Sequence, residues 1–193
     1  MIAPADAFAF LHDFDASLTT DLAPAFRNPA IRQLATFLAG PFGPLVFAPF
    51  LLFTLIRGGV RGVRIALFTL LLGALTSTLT TLLLKPLVAR PAPAGPGFGF
   101  PDPPAATAFA ITIYVALFYL GSGSWNVLLA LAIAAATVIA GAAFPSDAIA
   151  GAILGFVFAV IAWNATRNNV GVREFRVSST ELSGRQSSKM SRR

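Results

Sequence analysis

Residues 103–146 read PPAATAFAITIYVALFYLGSGSWNVLLALAIAAATVIAGAAFPS, and not one of them is charged. A helix rises about 1.5 Å per residue and the hydrocarbon core of a bilayer is about 30 Å thick, so about 20 apolar residues make one crossing. The stretch is long enough for two. Gly121-Ser122-Gly123-Ser124 divides it, because clustered Gly and Ser favour a turn over a continued helix. The pattern predicts helices over 104–120 and 125–143. Helix is the form such runs take, since a bilayer offers no water to satisfy free backbone amides.

Three further apolar runs lie on either side. Residues 34–56 form the first predicted span, bent or interrupted by Pro41, Pro44 and Pro49. Residues 65–84 are uncharged, and 148–163 form the last span. Composition agrees: 56% of the chain is hydrophobic, 11% is charged, and mean hydropathy is +0.76. A soluble domain carries about 25% charged residues, so lipid must cover much of this surface. The expected fold is all-α, a polytopic membrane bundle of about five transmembrane helices.

Ahead of the first span, Leu11, Phe14, Leu18, Leu22 and Ala25 recur at helical spacing with aspartates between them. Burying those aspartates in a span costs about 2.5–3.5 kcal/mol each, so the segment reads as an amphipathic helix lying in the interface. Asp6, Asp13 and Asp15 also argue against a signal peptide. Asn28-Pro29 turns the chain. Three regions follow: an interfacial segment 1–29, a transmembrane domain 30–166, and a basic polar tail 167–193.

Net charge is +6. Arg57, Arg61 and Arg64 fall between the first two predicted spans, and seven more Lys/Arg follow Trp163. The positive-inside rule places both on the cytoplasmic (or matrix) side, with the N-terminus outside. The charge therefore marks orientation and gives no reason to expect nucleic acid. The absence of cysteine excludes disulfides, thiolate metal sites and Cys nucleophiles. The only histidine is His12, which reads as an interfacial surface residue. Neither a metal nor a cofactor is expected.

Two stretches carry a family resemblance. Lys85 precedes a proline-rich loop that ends Phe100-Pro101-Asp102-Pro103-Pro104-Ala105-Ala106-Thr107, and Gly141-Ala142-Ala143-Phe144-Pro145-Ser146-Asp147 follows further on. Over residues 14–163 the chain resembles the type 2 phosphatidic acid phosphatase superfamily, the helical lipid-phosphate phosphatases. Their signatures are K-x-x-x-x-x-x-R-P, P-S-G-H and S-R-x-x-x-x-x-H-x-x-x-D. The resemblance implies a histidine nucleophile oriented by an aspartate, a second histidine as general acid, and a Lys/Arg clamp on the phosphate.

Set under those signatures, the chain keeps Lys85, Pro93, Pro101 and Asp147. Ala92 stands where the first arginine belongs, Pro104 where the acid does, Thr137 where the second arginine does, and Ala143 where the nucleophile does. With one histidine in the chain, two catalytic ones are impossible. The resemblance thus implies a pseudophosphatase, kept as a structural or accessory subunit. Its partners would be membrane lipids and membrane proteins, contacted by the helices and the basic tail. The alternatives are a lipid-binding module and, least supported, an atypical lipid phosphatase.

Lys85 and Arg90 either hold an anion or lipid headgroup, or snorkel at the membrane surface. Asp147 reads as a helix cap, as does Asp102 before Pro103. Gly141, Gly151 and Gly155 read as helix-packing residues. Thr69, Thr76 and Thr80 form a polar stripe expected to bond back to its own helix.

Overall fold

The computed structural model describes residues 4–40, 43–93, 97–119 and 123–167. Helix α1 spans Pro4–Arg27 and α2 spans Pro29–Ala39. Between them Asn28 caps α2: its Oδ1 accepts the amides of Ala30 (3.0 Å) and Ile31 (3.3 Å), with Pro29 in the first turn. A 3-10 turn, Gly43–Phe47, leads into the long α3, Ala48–Leu79. A π-helical turn, Thr80–Leu84, joins it to the short α4, Lys85–Val88. Then come α5 (Pro103–Phe118), α6 (Gly123–Ile139) and α7 (Pro145–Thr166).

The run over 34–56, expected to be bent or interrupted by its prolines, is broken. Helix α2 stops at Ala39, and the chain re-enters helix through the 3-10 turn. Prolines, which cannot donate to a helical ladder, account for the break. The break expected among the arginines is a sharp turn rather than an extended loop: Gly59, at φ 52° and ψ −140°, divides α3 into two helical stretches, with Arg61 and Arg64 exposed just beyond it. That backbone conformation suits glycine, and it folds the second stretch back on the first, since a Cβ at Gly62 would overlap Thr54 O.

Among the described residues, two helices are long and apolar enough to cross a membrane, Gly58–Val88 and Pro145–Thr166. The other apolar runs form shorter helices, Leu45–Ile56, Pro103–Phe118 and Trp125–Ile139. Helix α5 is apolar on all sides and therefore sits at the centre. It supplies Ala110, Tyr114 and Val115 to a cluster with Ile65, Leu72 and Ala159. It also supplies Ala108 and Ile111 to one with Phe47, Ala130 and Ile133. The outer faces carry large exposed apolar side chains such as Leu67, Leu71, Leu82, Ile153 and Phe156, which a lipid environment tolerates and water does not.

Gly151 and Gly155 of α7 face α5, where added Cβ atoms would meet Asp102 O and Ala106 O. Gly141 has a different role from the one its sequence suggested. Helix α6 ends at Ile139, and Gly141 turns the chain at φ 73° with nothing within 4 Å of a Cβ. It is a turn glycine, not a packing one. The tail beyond 167, with its proposed partner contacts, lies outside the described residues.

Candidate functional site

Arg90 organises the site. Ala89 ends α4 in the left-handed region at φ 53°, and the loop then doubles back. Gly99 N donates to Arg90 O (2.8 Å) and Ala92 N to Gly97 O (3.0 Å). Gly99 must be small here, since a Cβ would lie 2.7 Å from Asp147 Oδ2 and 3.2 Å from Ala92 Cα. This loop directs Arg90 inward, with 9% of its side chain exposed. Snorkelling at the surface is thereby excluded.

Inside, the guanidinium bridges two carboxylates. Its Nη1 donates to Asp147 Oδ1 (2.5 Å) and Ser146 Oγ (2.6 Å), and its Nη2 to Asp15 Oδ2 (2.5 Å). The ring of Phe144 lies 4.7 Å from the guanidinium carbon, adding a cation–π contact. Asp15 also accepts the Ser146 amide (2.8 Å) and the Ser146 hydroxyl (2.8 Å). A carboxylate from α1 thus satisfies a free N–H in the first turn of α7, where the helix dipole favours negative charge.

Asp147 is the third residue of α7, and its Oδ2 accepts the Phe144 amide (3.2 Å). It caps its helix and pairs with Arg90 together. Asp15 was read from the sequence as one of several surface aspartates, yet it is 1% exposed. A signal was present: Asp15 follows Leu11 by four residues and precedes Leu18 by three, so it lies on the apolar face of α1.

Asp102 lies alongside. Its amide donates to Asp147 O (3.1 Å), and its Oδ2 caps α5 through the Ala105 amide (3.2 Å). Burial pushes its carboxyl up to about 6, opposed by hydrogen bonding from Thr137 and the Ala105 amide and by the charge of Lys85. The Thr137 hydroxyl also lies 2.8 Å from Ala134 O, within its own helix. A carboxyl raised in the folded state binds more protons there than in the unfolded chain. Its contribution to stability therefore falls as pH rises from about 4 to 6, by up to about 3 kcal/mol, and is flat above. Asp102→Asn keeps the cap and removes the ionisation. The stability gain of this variant over wild type should grow across that window in detergent melts, and a gain independent of pH would refute the assignment.

Several sequence-derived positions lie close together: Ala143 N donates to Thr137 O (3.2 Å), Thr137, Lys85 and Asp147 all act on Asp102, and Gly99 sits between Ala92 and Asp147. Ala143 is buried and lines a cavity of about 290 Å³ with Arg32, Pro93 and Phe144. Pro104 faces another cavity, between α2, α3 and α5. Thr137 is buried beside Asp102, and Ala92 is half-buried in the loop. Lys85 is half-buried near Asp102. His12 is exposed on α1. Arg90, the residue suggested as an anion contact, already has two carboxylate partners.

This all-helical arrangement is similar to the transmembrane PAP2 fold. It matches the crystal structure of a transmembrane PAP2-type phosphatidylglycerolphosphate phosphatase from Bacillus subtilis with a TM-score of 0.60 and 18% identity. The match covers 91% of this chain and 100% of that one. Residues 97–170 match the family profile of the PAP2 superfamily. No curated protein matches the sequence.

Proposed function

We propose that the chain is a catalytically inactive member of the PAP2 fold, kept as a structural or accessory subunit of a membrane assembly. The observation that carries this is the charge state of the site. Phosphoryl transfer needs a concentrated positive field around the phosphate oxygens, and Arg90 is instead committed to Asp15 and Asp147. The residues at the nucleophile and acid positions are Ala143 and Pro104, neither of which can accept a phosphoryl group or donate a proton. Loss of either role alone costs several orders of magnitude in rate.

The solved relative suggests the assay. Purified chain should release no phosphate from phosphatidylglycerolphosphate or phosphatidic acid beyond a protein-free control. Release proportional to protein and abolished by Asp147→Asn would make it an atypical phosphatase instead. The subunit role predicts defined protein partners after mild-detergent extraction, and a lone monodisperse species would remove that part. Orientation with the N-terminus outside follows from the sequence charges and belongs to the same proposal.

A further inference from the structure

Helix α1 is held to the bundle in an unusual way. A helix that docks by packing buries an apolar stripe. Among the described side chains of α1 the buried one is an acid, Asp15, while Leu11, Phe14 and Leu18 are only half-buried. The hydroxyls of Ser17, Thr19 and Thr20 donate to carbonyls of α1 itself (2.8, 2.6 and 2.9 Å), so they add no bond to the bundle. Among the described residues, the polar attachment of α1 is therefore the Asp15 carboxylate, on Arg90 Nη2 and on the amide and hydroxyl of Ser146.

That attachment is separable from the rest of the cluster. Arg90 faces two carboxylates, and Asp147 alone neutralises it. Asp147 is fixed by its own helix, where it also accepts the Phe144 amide. Withdrawing Asp15 thus leaves a one-to-one ion pair, and it removes a surplus negative charge from a buried site. The Ser146 amide left behind lies in the first turn of α7, where water satisfies it once α1 has lifted. The chain is also jointed for such a movement. Asn28, between α1 and α2, is extended at φ −78° and ψ 116°, and its side chain bonds to α2, whose start stays satisfied when α1 moves.

What α1 covers gives the movement a consequence. One turn beyond Asp15, Thr19 stands at the wall of the cavity of about 290 Å³, with Arg32, Pro93, Ala143 and Phe144. The ring of Phe144 also stacks on Arg90, so the cavity and the ion-pair cluster share one wall and one cover. We infer that α1 is a displaceable strap latched by Asp15, and that unlatching it uncovers Arg90, Ser146 and the cavity beside Ala143 as one connected site. The latched form is an autoinhibitory contact, in which an internal carboxylate occupies donors that would otherwise face solvent. A strap of this kind works the same way in an active or an inactive member of the fold.

The test uses the full chain in nanodiscs, and since the chain has no cysteine, introduced thiols are the only ones present. Spin labels at Ser17→Cys on α1 and Ile149→Cys on α7, both exposed, report the strap by double electron–electron resonance. Labels at Leu67→Cys and Ile149→Cys report the bundle. With Asp15 in place, each pair should give one narrow distance. Asp15→Ala should move the first pair to a longer, broader distribution and leave the second pair unchanged. In separate chains, Ala143→Cys, at a position 3% exposed, should react with a water-soluble maleimide about tenfold faster when Asp15 is replaced by alanine. Ala110→Cys, at a position 0% exposed, should stay unreactive in both backgrounds. A first pair unmoved by Asp15→Ala would mean that packing holds α1, and would overturn the latch. Both pairs broadened, or Ala110→Cys turned reactive, would make Asp15 part of the core and overturn the strap. Ala143→Cys reacting no faster beside Asp15→Ala would overturn the shared cover.

Discussion

Replacing Arg90 with alanine should destabilise the folded protein by about 3–5 kcal/mol, the range for breaking a buried ion pair from one side. The reason is what remains behind. Asp15 and Asp147 are 1% and 0% exposed. Without the guanidinium they keep, among the described residues, the donors of Ser146 and the Phe144 amide. Two carboxylates would then share a site with no cation between them. Arg90→Lys should fall between wild type and alanine, because an ammonium carries the charge but not the fork that reaches both acids at once. Adding Asp147→Asn to Arg90→Ala should recover part of the loss, and the coupling read from the double-mutant cycle should be well above zero. The measurement is unfolding in detergent, with limited proteolysis across α1 as a second readout. Helix α1 should become cleavable in Arg90→Ala, since Asp15 is its polar anchor to α7. An alanine variant that melts like wild type, with α1 still protected, would mean that the cluster contributes nothing to the docking of α1.

That cluster also marks the limit of what the sequence discloses. Apolar length and small-residue breaks were enough to read helices over 104–120 and 125–143, because in a bilayer those features alone decide the backbone. The Asn28-Pro29 turn and the Asp102-Pro103 cap were readable for a similar reason: the signals act within three residues. The prolines announced an interruption of the 34–56 run but not its form, and the sharp turn at Gly59 was not readable to the same degree. Each depends on whether tertiary packing accepts a proline or a glycine inside a helix. Arg90 was the harder case. Its inward direction follows from the left-handed Ala89 and from Gly99 closing the loop onto Asp147. Its partner Asp15 is 75 residues away. No local pattern pairs those two residues, although the apolar face of α1 already placed Asp15 against the bundle. Gly141 shows the converse: a glycine beside a helix can serve packing or turning, and only its φ of 73° decides.

Gly155→Leu should abolish the close packing of α5 on α7, with a loss of about 3 kcal/mol or more, at the upper end of overpacking effects. An added Cβ at Gly155 would overlap Ala106 O and lie 2.9 Å from Ala110 N and 3.0 Å from Ala106 C. These atoms are main chain of the central helix, so they cannot turn aside as a flexible side chain would. Gly151 is similar, with a Cβ 2.5 Å from Asp102 O and 3.2 Å from the Ala106 amide nitrogen. Relief requires α7 to slide or lift off α5. Either movement carries Ser146 and Asp147 away from Arg90, since they occupy the first turn of the same helix. The packing glycines and the ion-pair cluster should therefore couple. Arg90→Ala should cost less in the Gly155→Leu background than in wild type, because the cluster would already be loosened. Gly155→Ala should cost less than leucine, because about 1 kcal/mol of helix propensity offsets part of the clash. Gly59→Ala offers a contrast, as nothing lies within 4 Å of its Cβ and its cost is the strain of φ 52° alone. If Gly155→Leu melts within experimental error of wild type, α5 and α7 do not approach as closely as Gly151 and Gly155 allow. The Arg90 cluster would then have to be held by α1 and the 90–99 loop without help from that contact.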